Sequence, residues 1–295
     1  MINSLTHFKQ YYGCVDDLGK ERYLDALGWH TENGEWQENL GLELLKEIAE
    51  KDSTMFEKYK KYKWIDDDYN VLPLIYYMDK HGFRKFHNSE KESIAVLGCS
   101  DTFGVGLHVD QTWAYKLGLL IGKPVWNLGI PGAAQELNYE CLLRKLPEIN
   151  VTDVFWLIPD PARVNLIRYS KEEAKYHRVQ VGANRIPVVL NKDKDYTNQD
   201  YFEDLRVSET KRFVDTQRNV DAVTNLCERY NVRLHKVMNP FYLDHKIIYT
   251  YLLEDNDYLK VTNYEKAYDQ SHLGVPFHDS VSQYFFRKYQ TKVLI

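Results

Sequence analysis

The chain has 295 residues, of which 44% are hydrophobic and 27% are charged, and its formal net charge is -5. This composition can bury a sizeable core and is ordinary for a soluble protein. The negative charge argues against nucleic acid as the main partner. No apolar run approaches the ~18 residues that span a bilayer, and Met1–Gln10 lacks the apolar segment of a signal peptide. We therefore expect a chain made in the cytosol, with no membrane partner and with its final location open.

Four cysteines and 23 tyrosines bear on the kind of site to expect. Cys14, Cys99, Cys141 and Cys227 form no C-x-x-C pair, so neither a cysteine zinc site nor a disulfide framework is predicted. We expect no metal and no cofactor. Tyrosine suits carbohydrate contacts and protein interfaces but is also common in cores, so its number does not decide between them.

Residues 1 to about 90 differ in composition from the rest of the chain. They are rich in Tyr, Lys, Glu and Asp, and their apolar runs are short. Leu40–Ala49 has the spacing of a helix, whereas the apolar run Val71–Tyr77 is interrupted by Pro73. We predict that residues 1–90 form an N-terminal extension packing on a main domain at residues 91–295.

Short apolar runs and helical patterns alternate through this main domain. The predicted strands are 94–97, 125–128, 154–158 and 232–237. The predicted helices are 110–121 with Asp110 as N-cap, 132–146, 208–230, and a last helix from after Pro276 to about Tyr289. Residues 171–204 are polar and predict an irregular excursion with a small hairpin near 185–191. The alternation predicts an α/β fold, a parallel sheet flanked by helices on both faces, with a ligand site at the carboxyl ends of the strands.

The segment Gly98–Gly106, with sequence GCSDTFGVG, directly follows the first predicted strand of the main domain. Ser100 would therefore lie at the mouth of the sheet, where its hydroxyl can act as a nucleophile. Glycines let such a turn approach a ligand closely. A phosphate-binding glycine turn and a plain strand–helix loop explain the same segment.

A second candidate lies near the other end of the chain, in the sequence DQSHLG. Asp269 precedes His272 by three residues and can reach back to its imidazole. That contact would fix the tautomer, so that the ring can take a proton from a serine hydroxyl. The alternative is a surface loop histidine. His278 is expected to cap or pack rather than to react.

The third segment is Val125–Gly132, a strand followed by the turn NLGIPG. The N–H groups of its glycines would face the same mouth of the sheet as Ser100, as an oxyanion hole requires. A plain strand–helix turn is the alternative.

In this order, the three segments resemble the SGNH/GDSL hydrolases. Gly98-Cys99-Ser100 resembles a Gly-Cys-Ser variant of the first block, Gly132 the oxyanion glycine, and Asp269 with His272 the D-x-x-H block. The lead-in His81–Arg84 is similar to a GFR segment of some members. The resemblance implies a flavodoxin-like three-layer fold and a serine esterase with Ser100 as nucleophile, His272 as base and Asp269 as its orienting group. It also implies an oxyanion hole from Ser100 and Gly132, and small acyl esters, among them acetylated carbohydrate, as substrates.

The chain departs from the family pattern at three places. Cys99 replaces the usual Asp, Asp101 replaces a more common apolar residue, and the third block has Asp160 where an Asn donor is expected. An ionised carboxylate donates no hydrogen bond, so Arg163 or Asn127 would have to substitute. Loss of one oxyanion donor typically costs about 2.7–4 kcal/mol.

Two other functions stay open at this point. The missing Asn and the Tyr-rich extension favour a weakly active or non-catalytic SGNH-fold module, in a homo-oligomer or in a larger assembly such as a phage particle. A flavodoxin-like nucleotide binder would use the glycine turn but leaves Asp269 and His272 unexplained.

Overall fold

The computed structural model describes residues 35–38, 41–79, 83–86, 92–161, 163–170, 175–181, 209–239, 259, 261 and 263–293. The strands in these residues are β1 (Glu35–Gln37), β2 (Ile75–Tyr77), β3 (Ser93–Gly98), β4 (Val125–Gly129), β5 (Val151–Ile158), β6 (Val164–Ser170), β7 (Lys175–Val181) and β8 (Arg233–Met238). The helices are α1 (Leu42–Lys51), α2 (Ser53–Lys61), α3 (Ser100–Phe103), α4 (Trp113–Ile121), α5 (Gln135–Lys145), α6 (Glu209–Arg229) and α7 (Val275–Val293).

Four strands form one parallel sheet in the order β4-β3-β5-β8. Strand β3 is buried at every position because both of its faces are covered, which is why it appears in the sequence as a continuous apolar run. Along β3, Ala95 and Leu97 belong to one core cluster, and Ile94 and Val96 to the other. The fold is therefore α/β with three layers, as predicted.

Two of the described helices cover each face of this sheet. The cluster that contains Leu97 takes its helical residues from α5 and α6. The cluster that contains Val96 takes them from α4 and α7, where Trp113 packs on Phe285 with ring centroids 5.2 Å apart. The turns after β3 and β4 lie at the carboxyl ends of these parallel strands.

The described part of the N-terminal extension forms a third cluster with the loops at this edge. α1, α2, the segment between α2 and β2, and β2 itself supply buried side chains that include Tyr59, Trp64 and Tyr76. These pack together with Phe103 and Tyr268, which lie close in sequence to Ser100 and Asp269. The extension thus contacts the segments that contain the candidate residues Ser100 and Asp269. A domain boundary at residue 90 stays a prediction.

Several local predictions were wrong. Asp110 lies in a 3-10 turn, and α4 is capped instead by Thr112, whose hydroxyl accepts the N–H of Tyr115. α7 begins at Val275, before Pro276, because proline fits the first turn of a helix. β6 and β7 form an antiparallel pair that the sequence reasoning missed, and the hairpin expected at 185–191 lies outside the described residues.

Two findings concern thiols and membranes. Cys99, Cys141 and Cys227 are buried, free thiols, and Cys14 lies outside the described residues. Among the helices of the described residues, none combines the length and the apolar character needed to cross a bilayer.

Candidate active site

Ser100 lies at the carboxyl end of the central strand β3 and begins the short helix α3. The turn between them requires glycine: Gly98 has φ 154, and a Cβ there would lie 2.1 Å from Thr102 Oγ1. Ser100 is 5% exposed, and its hydroxyl contacts Cys99 Sγ at 4.0 Å. Within the described part of the chain, its backbone N–H has no hydrogen-bond acceptor.

Arg84 holds the loop that follows Ser100. The guanidinium is buried and donates to the carbonyl oxygens of Phe103 at 3.0 Å, Gly104 at 2.6 Å and Leu107 at 2.6 Å. Burial lowers the pKa of Arg84 to about 10, which still leaves it charged at neutral pH. The sequence pointed to Arg84 only as part of a family-like lead-in, of which His81 and Gly82 lie outside the described residues.

Asp269 and His272 are in hydrogen-bond contact, and backbone N–H groups hold the carboxylate in place. His272 Nδ1 lies 2.5 Å from Asp269 Oδ2. The other carboxylate oxygen accepts the N–H groups of Ser271 at 3.2 Å and His272 at 3.1 Å. Asp269 is fully buried at its side chain, whereas that of His272 is 30% exposed. Since Nδ1 faces the carboxylate, Nε2 is the nitrogen left to exchange a proton, and no described residue hydrogen bonds to it.

The charges around this pair favour a carboxylate beside a basic imidazole. Burial raises the pKa of Asp269, but the hydrogen bonds and charge of His272 and the N–H of Ser271 lower it to a net value below the ordinary one. Burial lowers the pKa of His272, but Asp269 raises it more, helped by the charges of Asp101 and Glu38, so it lies above the ordinary value. His272 is thus a stronger base than a free imidazole.

Gly106 joins the loop of Ser100 to the loop of Asp269. The carbonyl oxygen of Gly106 accepts the N–H of Tyr268 at 2.9 Å. Gly106 has φ 77, and a Cβ there would lie 2.7 Å from Asp269 Oδ1. The structure therefore brings the two loops into contact, although within the described residues the Ser100 hydroxyl and His272 make no direct hydrogen bond.

The turn after β4 lies beside the turn after β3. Ile130 N–H donates to the Gly98 carbonyl at 3.1 Å, and Gly129 packs directly against the backbone of Phe103. Gly132 has φ 79 and, within the described residues, its N–H has no acceptor. Both Ser100 and Gly132 thus carry backbone donors that the described fold does not use.

The two residues considered as substitutes for the missing Asn have different surroundings. Asn127 is buried; its Nδ2 donates to the carbonyl oxygens of Thr102 at 3.1 Å and Phe103 at 3.4 Å, and its Oδ1 accepts Gly129 N–H. Its amide is therefore used inside the fold, and its role as an oxyanion donor stays a prediction. Arg163 Nη1 lies 3.3 Å from the carbonyl oxygen of Ala133, next to Gly132.

The structure also reveals a buried polar pair that the sequence did not indicate. Asn239 Nδ2 donates to Asp101 Oδ2 at 2.6 Å, and both side chains are almost fully buried. Asn239 follows β8, and its N–H donates to the Ile158 carbonyl at the end of β5. No sequence signal links the two positions, because they are distant along the chain and meet only at the sheet edge.

His278 is structural, as expected. Its Nδ1 accepts the N–H of Trp113 at 3.0 Å, at the first residue of α4. Burial lowers the pKa of His278 well below the ordinary value, so it stays neutral and can accept that bond. Among the residues that the structure describes, no cluster of three or more His, Cys, Asp or Glu could hold a metal ion.

No protein-family model matches the chain, and no curated protein matches it. Among solved structures, it is similar to the psychrotrophic esterase EstA from Pseudoalteromonas sp., with 14% identity and a TM-score of 0.41 over 70% of this chain and 100% of that one. It is also similar to the acetyl-xylooligosaccharide esterase Axe2 from Geobacillus, with 14% identity and a TM-score of 0.29 over 68% of this chain and 94% of that one.

Proposed function

We propose that this chain is a serine ester hydrolase of the SGNH/GDSL type, acting by acyl transfer from Ser100 to water. The observation that carries the proposal is the pair His272 Nδ1–Asp269 Oδ2 at 2.5 Å, on a loop in contact with the loop that Ser100 begins. A buried carboxylate that orients an imidazole beside a serine loop is the arrangement by which unrelated hydrolases activate a serine.

In the proposed reaction, Ser100 Oγ attacks the ester carbonyl and His272 Nε2 takes the hydroxyl proton. Asp269 holds the imidazole and stabilises its charged form. His272 then gives the proton to the leaving alcohol, and a water molecule attacks the acyl-enzyme by the same route. A hydrogen bond between Ser100 and His272 that forms only with substrate is compatible with this role, because such bonds are often long in free enzymes.

The oxyanion would be held by the N–H groups of Ser100 and Gly132, with Arg163 as a third donor. The backbone donors of Ser100 and Gly132 meet no acceptor in the described residues. Arg163 is favoured over Asn127 because its guanidinium lies at the Gly132 turn and can serve several acceptors with its five N–H groups, whereas the amide of Asn127 donates to the Thr102 and Phe103 carbonyls. A cation there would also offset the charge of Asp101, which lies beside the nucleophile.

The test is hydrolysis of p-nitrophenyl acetate, with labelling by a fluorophosphonate read by mass spectrometry. The wild type should turn over and gain one label, and Ser100→Ala should do neither. Ser93→Ala is the matched control: Ser93 lies at the opposite end of the same strand, is buried, and donates to the Asn150 carbonyl at 2.7 Å. That variant should lose stability but keep its activity. Equal rates for wild type and Ser100→Ala, with no label, would reject the proposal.

The substrate class proposed is small acyl esters, with acetyl groups on carbohydrate as the natural case. This follows from the family resemblance and not from the comparison structures. A series of p-nitrophenyl esters from two to eight carbons, together with acetate release from acetylated xylan, distinguishes the choices. Preference for the shortest chain and release of acetate are expected; preference for long chains would point to lipid esters instead.

A non-catalytic SGNH-fold module is the second candidate. It is favoured by Asp160, which stands where the family places an Asn donor, and by the absence of a direct bond between Ser100 and His272 in the described residues. This candidate predicts no labelling of Ser100 by a fluorophosphonate under conditions in which the protein is folded.

A further inference from the structure

Glu38 is a buried carboxylate supplied by the N-terminal extension. Its relative exposure is 0%, and its backbone N–H donates to the Leu74 carbonyl at 2.9 Å where β1 meets β2. A charged side chain is almost never fully buried unless it interacts with other polar groups. The contacts of this carboxylate therefore point to what it does.

A chain of two hydrogen bonds leads from Glu38 to the loop of Ser100. Tyr76 donates its hydroxyl to Glu38 Oε2 at 3.1 Å and accepts the N–H of Gly106 at 2.6 Å. Tyr76 is itself fully buried, and the Arg84 guanidinium lies 4.6 Å from its ring centroid. A tyrosine that both donates and accepts in this way fixes the distance between its two partners.

The same extension touches the loop of Asp269 directly. A Cβ on Gly41 would lie 2.5 Å from the backbone carbonyl carbon of Asp269, and the Tyr268 hydroxyl donates to the Leu72 carbonyl at 2.8 Å. Gly106 donates its N–H to the Tyr76 hydroxyl, and a Cβ on Gly106 would lie 2.7 Å from Asp269 Oδ1. The extension thus contacts the loop that carries Asp269.

We propose that the extension is a working part of the active site, in which Glu38 is a positioning residue that acts on His272 through Tyr76 and Gly106. This proposal rests on the proposed function, because it takes His272 to be the general base. Glu38 adds a second buried negative charge behind the loop that carries Asp269, so that the imidazolium formed when Ser100 is deprotonated is stabilised from two sides.

In the described residues, the ionisable groups that interact electrostatically with His272 come from four parts of the fold. Asp269 lies on its own loop, Asp101 on α3, Glu38 on the extension, and the neutral His278 on α7. The charges of Asp269, Asp101 and Glu38 all raise the pKa of His272. Removing Glu38 alone should therefore lower this pKa without abolishing the pair with Asp269.

The experiment follows the His272 ring C–H signal by NMR against pH in the full-length protein, assigned by its loss in His272→Asn. Glu38→Gln keeps the size of the side chain and its ability to accept the Tyr76 hydroxyl. We expect its His272 midpoint to shift to lower pH, and the acid limb of kcat/KM to shift with it. Glu57→Gln is the control, because it removes a charge from an exposed position of the same extension; its midpoint should equal that of the wild type.

Tyr76→Phe provides a second route if Glu38→Gln does not fold. Tyr76→Phe removes the hydroxyl that links Glu38 to Gly106, so the His272 midpoint should again fall if Glu38 acts through this chain of hydrogen bonds. An unshifted midpoint in whichever variant folds overturns the proposal. The titration needs no turnover, so the two proposals can fail separately. Absence of ester hydrolysis would reject the proposed function, while a shifted His272 midpoint in the same protein would still support the effect of Glu38 on His272.

Discussion

Asp269 Oδ2 lies 2.5 Å from His272 Nδ1, while its partner oxygen accepts two backbone N–H groups from the same turn. The carboxylate is therefore held in place before it meets the imidazole, and the imidazole has one tautomer available. Asp269→Asn keeps the shape but presents an amide that cannot stabilise an imidazolium. We expect kcat to fall by about 10⁴-fold, the loss associated with removal of such a carboxylate.

The pH dependence of this variant gives a second measure. The charge and hydrogen bond of Asp269 raise the pKa of His272, and His272 must be neutral to accept the Ser100 proton. Wild-type kcat/KM should thus fall as pH drops through that raised pKa, and in Asp269→Asn the acid limb should move to lower pH. A limb that stays in place would show that another group titrates there.

Gly106 and Gly122 offer a matched pair of left-handed glycines. Their φ values are 77 and 76, but a Cβ on Gly106 would meet Asp269 Oδ1 at 2.7 Å, whereas a Cβ on Gly122 meets nothing within 4 Å. Gly122→Ala should therefore cost only the backbone strain, about 1–2 kcal/mol of unfolding free energy. Gly106→Ala should cost about 1–3 kcal/mol more, through overpacking, and should reduce kcat by displacing Asp269.

Urea unfolding and kcat at a temperature well below both transitions separate these effects. Equal losses of stability for the two variants, with kcat unchanged in Gly106→Ala, would mean that the two loops are not tightly coupled. Loss of kcat in Gly106→Ala alone would support the contact.

Asn127 and Arg163 should respond to substitution in opposite ways. Asn127→Ala removes the amide donor of the Thr102 carbonyl, at about 1–3 kcal/mol, whereas the Phe103 carbonyl keeps its hydrogen bond from Arg84. Its effect should be a lower unfolding free energy with little change in kcat of the folded protein. Arg163→Ala should instead lower kcat by about 10²-fold, the usual loss for one oxyanion donor, with a small change in stability because its side chain is half-buried. The reverse pattern would identify Asn127 as the donor.

The sheet could be predicted because its strands are buried on both faces. The predicted runs 94–97, 125–128, 154–158 and 232–237 differ from β3, β4, β5 and β8 by at most three residues at an end. The pair β6–β7 was not predicted because residues 164–181 mix Asn, Arg, Lys and His with apolar residues, without the regular alternation of apolar and polar residues that indicates a strand. The N-cap of α4 was predicted wrongly because Asp110 and Thr112 are both residue types that favour this position. Asp110 lies inside a 3-10 turn that precedes the helix, so Thr112 is the residue that caps it.

The candidate site was predictable where its residues lie in short motifs. Ser100, Asp269 and His272 each follow a local pattern of glycines or spacing, and the roles assigned to them stay predictions. Arg84 appeared only within a family-like lead-in that assigned it no role, and Glu38 lies in no pattern, because a charged residue becomes informative only when its tertiary partners bury it. The departure at Asp101 was visible in the sequence, but its meaning depends on Asn239, which no local pattern connects to it.

The pair Asp101–Asn239 yields a prediction about stability and pH. Asn239→Asp would place two buried carboxylates where Asn239 Nδ2 now donates to Asp101 Oδ2 at 2.6 Å. Two carboxylates this close cannot both ionise, so one of them would keep a proton with a raised pKa in the folded state. The folded variant then binds a proton that the unfolded chain has released at neutral pH. Its stability relative to the wild type should therefore be lowest at neutral pH and recover as the pH falls toward about 4, the ordinary value for Asp.

The exchange variant Asp101→Asn with Asn239→Asp is the control, because it restores one carboxylate and one amide at the same contact. Its stability relative to the wild type should show much less dependence on pH than that of Asn239→Asp alone. The measurement is the free energy of unfolding in urea at pH 5, 6, 7 and 8 for all three proteins. A pH-independent loss in Asn239→Asp would mean that solvent reaches the pair and that Asp101 is not held in a dry site beside Ser100.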